Sequence, residues 1–169
     1  IVKYMPSPEN KTVAGISLKN HEIFEANFDF AKPKSAYIFK TIVDPFIGKY
    51  SLIKVYSGVI KSDDVLYNVD KDVEEKVGKI YVLQGNKPIE VPELHAGDIG
   101  ALAKVTAART GNTLSTKANT IQYGKAEIST PYTYMRYKVK NKSDIDKVSQ
   151  SLQKMMHEDL TLKSVNDTE

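Results

Sequence analysis

The stretch from Ala36 to about Ala126 constrains this chain most. Short runs rich in Val, Ile, Tyr and Thr recur there at roughly ten-residue intervals between turn residues, and helical periodicity is missing. A strand, whose side chains alternate between faces, suits the pattern. Strands are predicted at 36–43, 49–60, 64–69, 73–84, 98–107 and 119–128, enough for a barrel or sandwich. Ser62-Asp63-Asp64, Gly85-Asn86-Lys87-Pro88 and His95-Ala96-Gly97-Asp98 are the expected turns. Gly supplies positive φ there, and Asp or Asn bonds local backbone donors. Upstream, residues 1–34 are punctuated by Pro6, Pro8, Asn10, Gly15, Asn20 and Pro33, and only Glu22 to Phe30 alternates like a strand. That segment reads as a linker with a small hairpin.

After Thr130-Pro131 the period changes. Residues 132–140 alternate as a strand, with Met135, Tyr137 and Val139 on one face and Tyr134, Arg136, Lys138 and Lys140 on the other. A helix is predicted next, capped by Ser143 with Asp146 returning the bond as a capping box. Its apolar positions, Ile145, Val148, Leu152, Met155 and Met156, recur at helical spacing, and 160–165 reads as a second strand. Such a β-α-β unit has one helix on one sheet face, too little for an independent core. The expected organisation is therefore a linker (1–34), a β-barrel (35–128) and a less securely ordered β-α-β unit (129–169), open to pairing with a second copy.

With 169 residues, 41% of them hydrophobic, the chain can bury one good core with a smaller appendage. No apolar run approaches the ~18 residues of a membrane span. The start, Ile1-Val2-Lys3-Tyr4-Met5-Pro6, lacks the pattern of a secretory signal. It also lacks an initiator Met, and we expect an internal piece of a longer protein. Absence of Cys excludes disulfides and thiolate metal sites and fits a reducing compartment. A net charge of +3, from 24 basic and 21 acidic residues, is too mild to mark a nucleic-acid binder, so such a role rests on local placement.

Catalytic chemistry has no visible centre. Neither GxxxxGK[ST] nor GxGxxG occurs, so no nucleotide site is expected within the chain. His21, His95 and His157 lie far apart without metal-ligand spacing, and no GxSxG elbow presents a nucleophile. The pairs Asp63-Asp64, Glu74-Glu75 and Glu158-Asp159 sit beside turns or lysines, where solvated carboxylates are expected rather than acid/base dyads. No catalytic, cofactor-binding or metal-binding residue is assigned.

Two features suit RNA. Tyr132, Tyr134, Arg136, Lys138, Lys140 and Lys142 place two aromatics and four cations on one strand face, fit for stacking and phosphate contact, although lysines on such a face also block edge pairing. Lys49, Lys54, Lys61, Lys71, Lys76 and Lys79 are spread over the barrel and make a patch only if folding brings them together. The RNA-binding candidates are Lys49, Lys54, Lys61, Lys76, Lys79, Arg136, Lys138 and Lys140.

Several ordered motifs resemble one family. Val43-Asp44-Pro45-Phe46-Ile47-Gly48-Lys49, Ile53-Lys54-Val55-Tyr56-Ser57-Gly58, Lys76-Val77-Gly78-Lys79-Ile80 and His95-Ala96-Gly97-Asp98-Ile99 are similar, in order and spacing, to the second domain of elongation factor G. Tyr4-Met5-Pro6-Ser7-Pro8 resembles the exit from that family's GTPase domain. Thr110-Gly111-Asn112-Thr113-Leu114 resembles its Thr-Gly-Asp-Thr-Leu, and Ser151-Leu152-Gln153-Lys154 with Glu158-Asp159 resembles the helix of its third domain. Asp63 stands where Gly is usual, Asn112 replaces Asp, Leu160 replaces Pro, and Lys49 and Lys54 replace Arg, which keeps charge but loses the bidentate fork. These departures fit a diverged paralogue or a ribosomal-protection relative as readily as the main translocase.

The resemblance implies a mainly β fold: a barrel like the second domain of elongation factor Tu, then the first half of a ferredoxin-like third domain. It further implies a non-catalytic, cytoplasmic, ribosome-binding fragment of a translocation GTPase, with small-subunit ribosomal RNA and protein and the parent's GTPase domain as partners, and neither membrane nor DNA. GTP and Mg²⁺ would be bound elsewhere in the parent. A free-standing β-barrel module binding protein or single-stranded RNA is the alternative.

Overall fold

The structure, a computed structural model, describes residues 3–44, 48–85 and 87–165. Pro45, Phe46 and Ile47 of the family motif and Asn86 of the second expected turn lie outside the described residues. The chain divides into two compact units, Ile1–Lys125 and Ala126–Glu169.

The first unit opens with strands β1 (Ala14–Ser17) and β2 (Ile23–Glu25). β3 (Ser35–Asp44), β4 (Gly48–Ser57), β5 (Val59–Lys61), β6 (Val65–Asn68) and β7 (Val73–Lys76) follow. Then come β8 (Ile80–Gln84), β9 (Lys87–Val91), β10 (Glu93–His95), β11 (Ile99–Ala103), β12 (Thr113–Ser115) and β13 (Ile121–Gln122). Eight strands form one antiparallel sheet in the order β7-β6-β12-β3-β4-β11-β8-β9, and β10 pairs with β5.

This sheet cannot be flat. β7 stands at one end and β8 next to the other. In a plane they would lie about 29 Å apart, whereas the linking residues 77–79 reach about 14 Å at full stretch. The link instead bonds to both ends. Val77 N–H donates to Asp64 O (2.7 Å) and Val77 O accepts Asp63 N–H (2.9 Å), while Lys79 O accepts Ala103 N–H (3.3 Å). The sheet thus closes around one aliphatic core drawn from distant strands, including Ile38, Ile53, Ile60, Leu66, Leu102 and Leu114. Each such buried side chain contributes about 1.5–3 kcal/mol.

β4 shows the alternation that makes this possible: Ser51, Ile53, Val55 and Ser57 are buried inside, while Leu52, Lys54 and Tyr56 face outward and are half-buried. The predicted 73–84 strand is broken at 77–79 by the closing link. The predicted 98–107 strand stops at Ala103, where Lys104 takes φ +64°. The segment expected as a turn at Gly85 to Pro88 is tighter than that: Gln84 pairs with Lys87 and Gly85 takes φ +59°, so Lys87 and Pro88 belong to β9. Proline is tolerated there because β9 is an edge strand.

Residues 3–34 are built into the first unit. β1 lies between β2 and β13, and Ala26, Ile121 and Tyr123 form a second cluster with Val13, Phe24, Tyr37 and Tyr56. The Tyr123 hydroxyl bonds Ser35 Oγ (2.7 Å), Ser35 bonds Ser57 Oγ (2.5 Å), and Ser57 donates to Pro33 O (2.6 Å). Burial pushes the Tyr123 phenol up to about 12. Asp70, its side chain 3% exposed, accepts from Thr113 N–H (2.8 Å), Gln122 Nε2 (3.3 Å) and Lys125 Nζ (2.8 Å). The chain crosses Gly58 tightly: its N–H donates to Asp29 O (2.8 Å) and its φ is +73°.

In the second unit, α1 (Ile145–Glu158) follows a 3-10 turn at Lys142–Asp144. That turn absorbs Ser143, so the expected capping box does not form; Asp144 takes the N-cap position without a side-chain cap bond. The segments 132–140 and 160–165 carry no strand. Neither segment has a neighbouring strand to pair with among the described residues. Tyr132, Tyr134 and Met135 are accordingly 93%, 94% and 90% exposed. The architecture as a whole is mainly β: a closed antiparallel barrel followed by a small helix-containing unit.

Two outcomes follow from this packing. A Cβ at Gly58 would sit 2.8 Å from Lys32 O and from Lys34 Cα, so Gly58→Ala is expected to lower unfolding free energy by about 3 kcal/mol, read from urea denaturation. Amides of 132–140 and 160–165 are expected to exchange near unprotected rates while those of β4 stay protected, as hydrogen exchange on the monomer would reveal.

Candidate nucleic-acid interface

The barrel's cations fall into separate groups. Lys49, near the start of β4, donates through Nζ to Thr106 O (2.9 Å) and Ala108 O (2.8 Å). Arg109 Nη1 donates to the same two oxygens, at 2.8 and 3.0 Å. The loop presents both carbonyls because it is pinned around them. Glu75 Oε2 accepts Ala107 N–H (3.0 Å), Asn112 Oδ1 accepts Arg109 N–H (2.9 Å), and Gly111 N–H donates to Ile38 O (2.7 Å). Burial first, and the Arg109 guanidinium second, lower the Lys49 ammonium to about 8 against the opposing pull of Glu75.

A second group surrounds the Ser62-Asp63-Asp64 turn. Asp64 Oδ2 takes Lys34 Nζ (2.6 Å) and the Lys61 N–H (2.7 Å), while Asp63 pairs with Lys76 (2.9 Å). Lys61 Nζ reaches Glu93 (3.3 Å). Asp63 adopts φ +69°, a conformation glycine takes without strain. Lys34 and Lys76 thus meet adjacent carboxylates of the turn, while the Lys61 ammonium is drawn to Glu93, and these partners neutralise part of the charge.

The remaining candidates stand apart. Lys79 pairs with Glu90 (2.7 Å), and that hydrogen bond raises its pKa. Lys54 Nζ lies 5.4 Å from the centroid of the Phe28 ring, a cation–π contact on the barrel's outer face. Lys71 sits in the turn after β6. Arg136, Lys138 and Lys140 are exposed and belong to the other unit. Two cations of these groups escaped sequence reasoning. Lys34 follows Pro33 in what reads as a linker, and Arg109 lies in a loop without periodicity. His95 stands between Glu93 (3.2 Å) and Asp98 (3.6 Å), and no metal-holding cluster forms among the described residues.

Because Lys49 has a folded pKa below its unfolded value, the folded state carries a penalty below about pH 8 that fades as pH rises towards 10. The native chain is expected to gain stability over Lys49→Arg, which does not titrate there, between pH 7.5 and 9.5. Paired urea midpoints at about those two pH values measure this.

A family model described as Elongation factor G domain 2 matches residues 33–117, which includes all the barrel lysines discussed above. A crystal structure of a Thermus thermophilus protein is similar to this chain, with 25% sequence identity and a TM-score of 0.66. The match covers 78% of this chain and 20% of that one, so the chain spans a fifth of that protein's length. Closed barrel, ordered motifs and matched stretch coincide, and the chain belongs to the elongation factor G domain 2 family, a module of translation elongation factors.

Proposed function

We propose that this chain is the non-catalytic, ribosome-binding part of a GTP-dependent elongation factor acting in ribosomal translocation. Its barrel meets small-subunit ribosomal RNA and protein and packs beside the parent's GTPase domain in the cytoplasm. The observation that carries the reading is family membership across residues 33–117. GTP and Mg²⁺ do not fit this chain's own residues: the Gly-rich loop with its Lys is missing from the sequence. The nucleotide chemistry belongs to a separate domain of the parent, and this part contributes binding and positioning.

The group around the Ser62-Asp63-Asp64 turn supports the RNA contact. Its lysines are held by carboxylates at 2.6–3.3 Å and are presented as point charges, suited to phosphate rather than to base edges. Lys61→Glu and Lys76→Glu are expected to weaken binding of this chain to small ribosomal subunits. Each lost phosphate contact flattens the dependence of log affinity on log salt by about one. Unchanged affinity and slope in the double variant would defeat the assignment of these lysines.

A further inference from the structure

Lys49 and Arg109 are two cations held side by side on the same pair of oxygens, Thr106 O and Ala108 O. Like charges this close repel, and the surroundings compensate them poorly. The carboxylate that faces Lys49 is Glu75, which is already engaged: Oε2 accepts Ala107 N–H (3.0 Å) and Oε1 accepts Asn68 Nδ2 (3.4 Å). Both cations are half-buried, so solvent screens their repulsion less than at an open surface.

Donor counting points outward. An ammonium has three N–H donors, and Lys49 directs two to carbonyls. A guanidinium has five, and among the described residues the Arg109 side chain bonds through Nη1 alone, which leaves the Nη2 and Nε edge. That edge is the one that grips two oxygens of a phosphate, and the third Lys49 proton can meet another. The loop is also fixed in advance by Glu75, Asn112 and the Gly111–Ile38 bond. Such a pair gains twice from an anion, through direct hydrogen bonds and through relief of its own repulsion.

We infer that Lys49 and Arg109 form a prebuilt subsite for one phosphate group, with the loop carbonyls aiming both cations at it. The subsite deepens the RNA-binding reading above and rests on it for its natural ligand, since an RNA phosphodiester and a free phosphate present the same oxygens. A purely structural role, in which the two cations only staple the loop, demands no affinity for anions.

The test is a titration of the intact chain followed by NMR at Arg109 Nε–H and the Ala108 amide, first with inorganic phosphate and then with a small-subunit ribosomal RNA fragment. Saturable shifts are expected with phosphate, weakened about tenfold in Lys49→Met and in Arg109→Gln and retained in Lys49→Arg. Thermal melts confirm folding, and Arg109→Gln, on a loop, keeps the test alive if Lys49→Met fails to fold. Absence of a saturable shift, or unchanged affinity in folded variants, overturns the subsite. Phosphate binding without RNA binding upholds the subsite for a free anion and removes the ribosomal reading. RNA binding indifferent to both substitutions upholds that reading and removes the subsite.

Discussion

The three residues 77–79 decide the shape of the first unit, because backbone bonds from Val77 and Lys79 hold opposite ends of one sheet. Without that crossing the inner faces of β6 and β11 would not share a core, and Leu66 and Leu102 would lie in separate layers. Contacts so remote in sequence form only when the barrel closes, so its strands gain stability together. The link also sets electrostatics. It leaves β7 beside the loop that follows β11, where Glu75 can reach inward to hold Ala107 while Lys76 stays outside on Asp63.

Around this aliphatic barrel the second cluster works by different chemistry. Hydroxyls and aromatic rings dominate it: Phe28 meets Tyr56 edge-on at 5.9 Å, and Tyr56 meets Tyr123 at 4.8 Å. The Tyr123–Ser35–Ser57 chain of hydrogen bonds satisfies polar groups that would otherwise be costly at this depth. It ties Pro33 and Tyr123 to β3 and β4, and with β1 paired to β13 a segment that looks like a linker is part of the folded unit.

The sequence made the long strands legible and left β10 and β12 unseen. β4 shows itself through Ser51, Ile53, Val55 and Ser57 against Leu52, Lys54 and Tyr56, a clean alternation over seven residues. β10 and β12 have three residues each, too few for any period to emerge, and of the strand expected at 119–128 only the two residues of β13 form. The helix was readable from its apolar spacing, but its flanking strands needed neighbours that a local pattern does not reveal. Site geometry was the least legible. Lys49 looked like one surface lysine among six because its partners are carbonyl oxygens, which every residue carries. Arg109 gave no signal, since its role comes from a loop pinned by Glu75, a residue distant in sequence.

The Asp70 clamp separates two meanings of the word domain. The family model spans residues 33–117, yet Gln122 and Lys125, which meet the almost fully buried Asp70 carboxylate, lie past that stretch. Tyr123 and all of β1 and β2 lie outside it as well. An excised piece cut at the boundaries of that stretch would strand a carboxylate without its cation and open the aromatic layer to water. The stretch that defines the family is therefore smaller than the part that packs as one unit, and the flanking sequence supplies the difference.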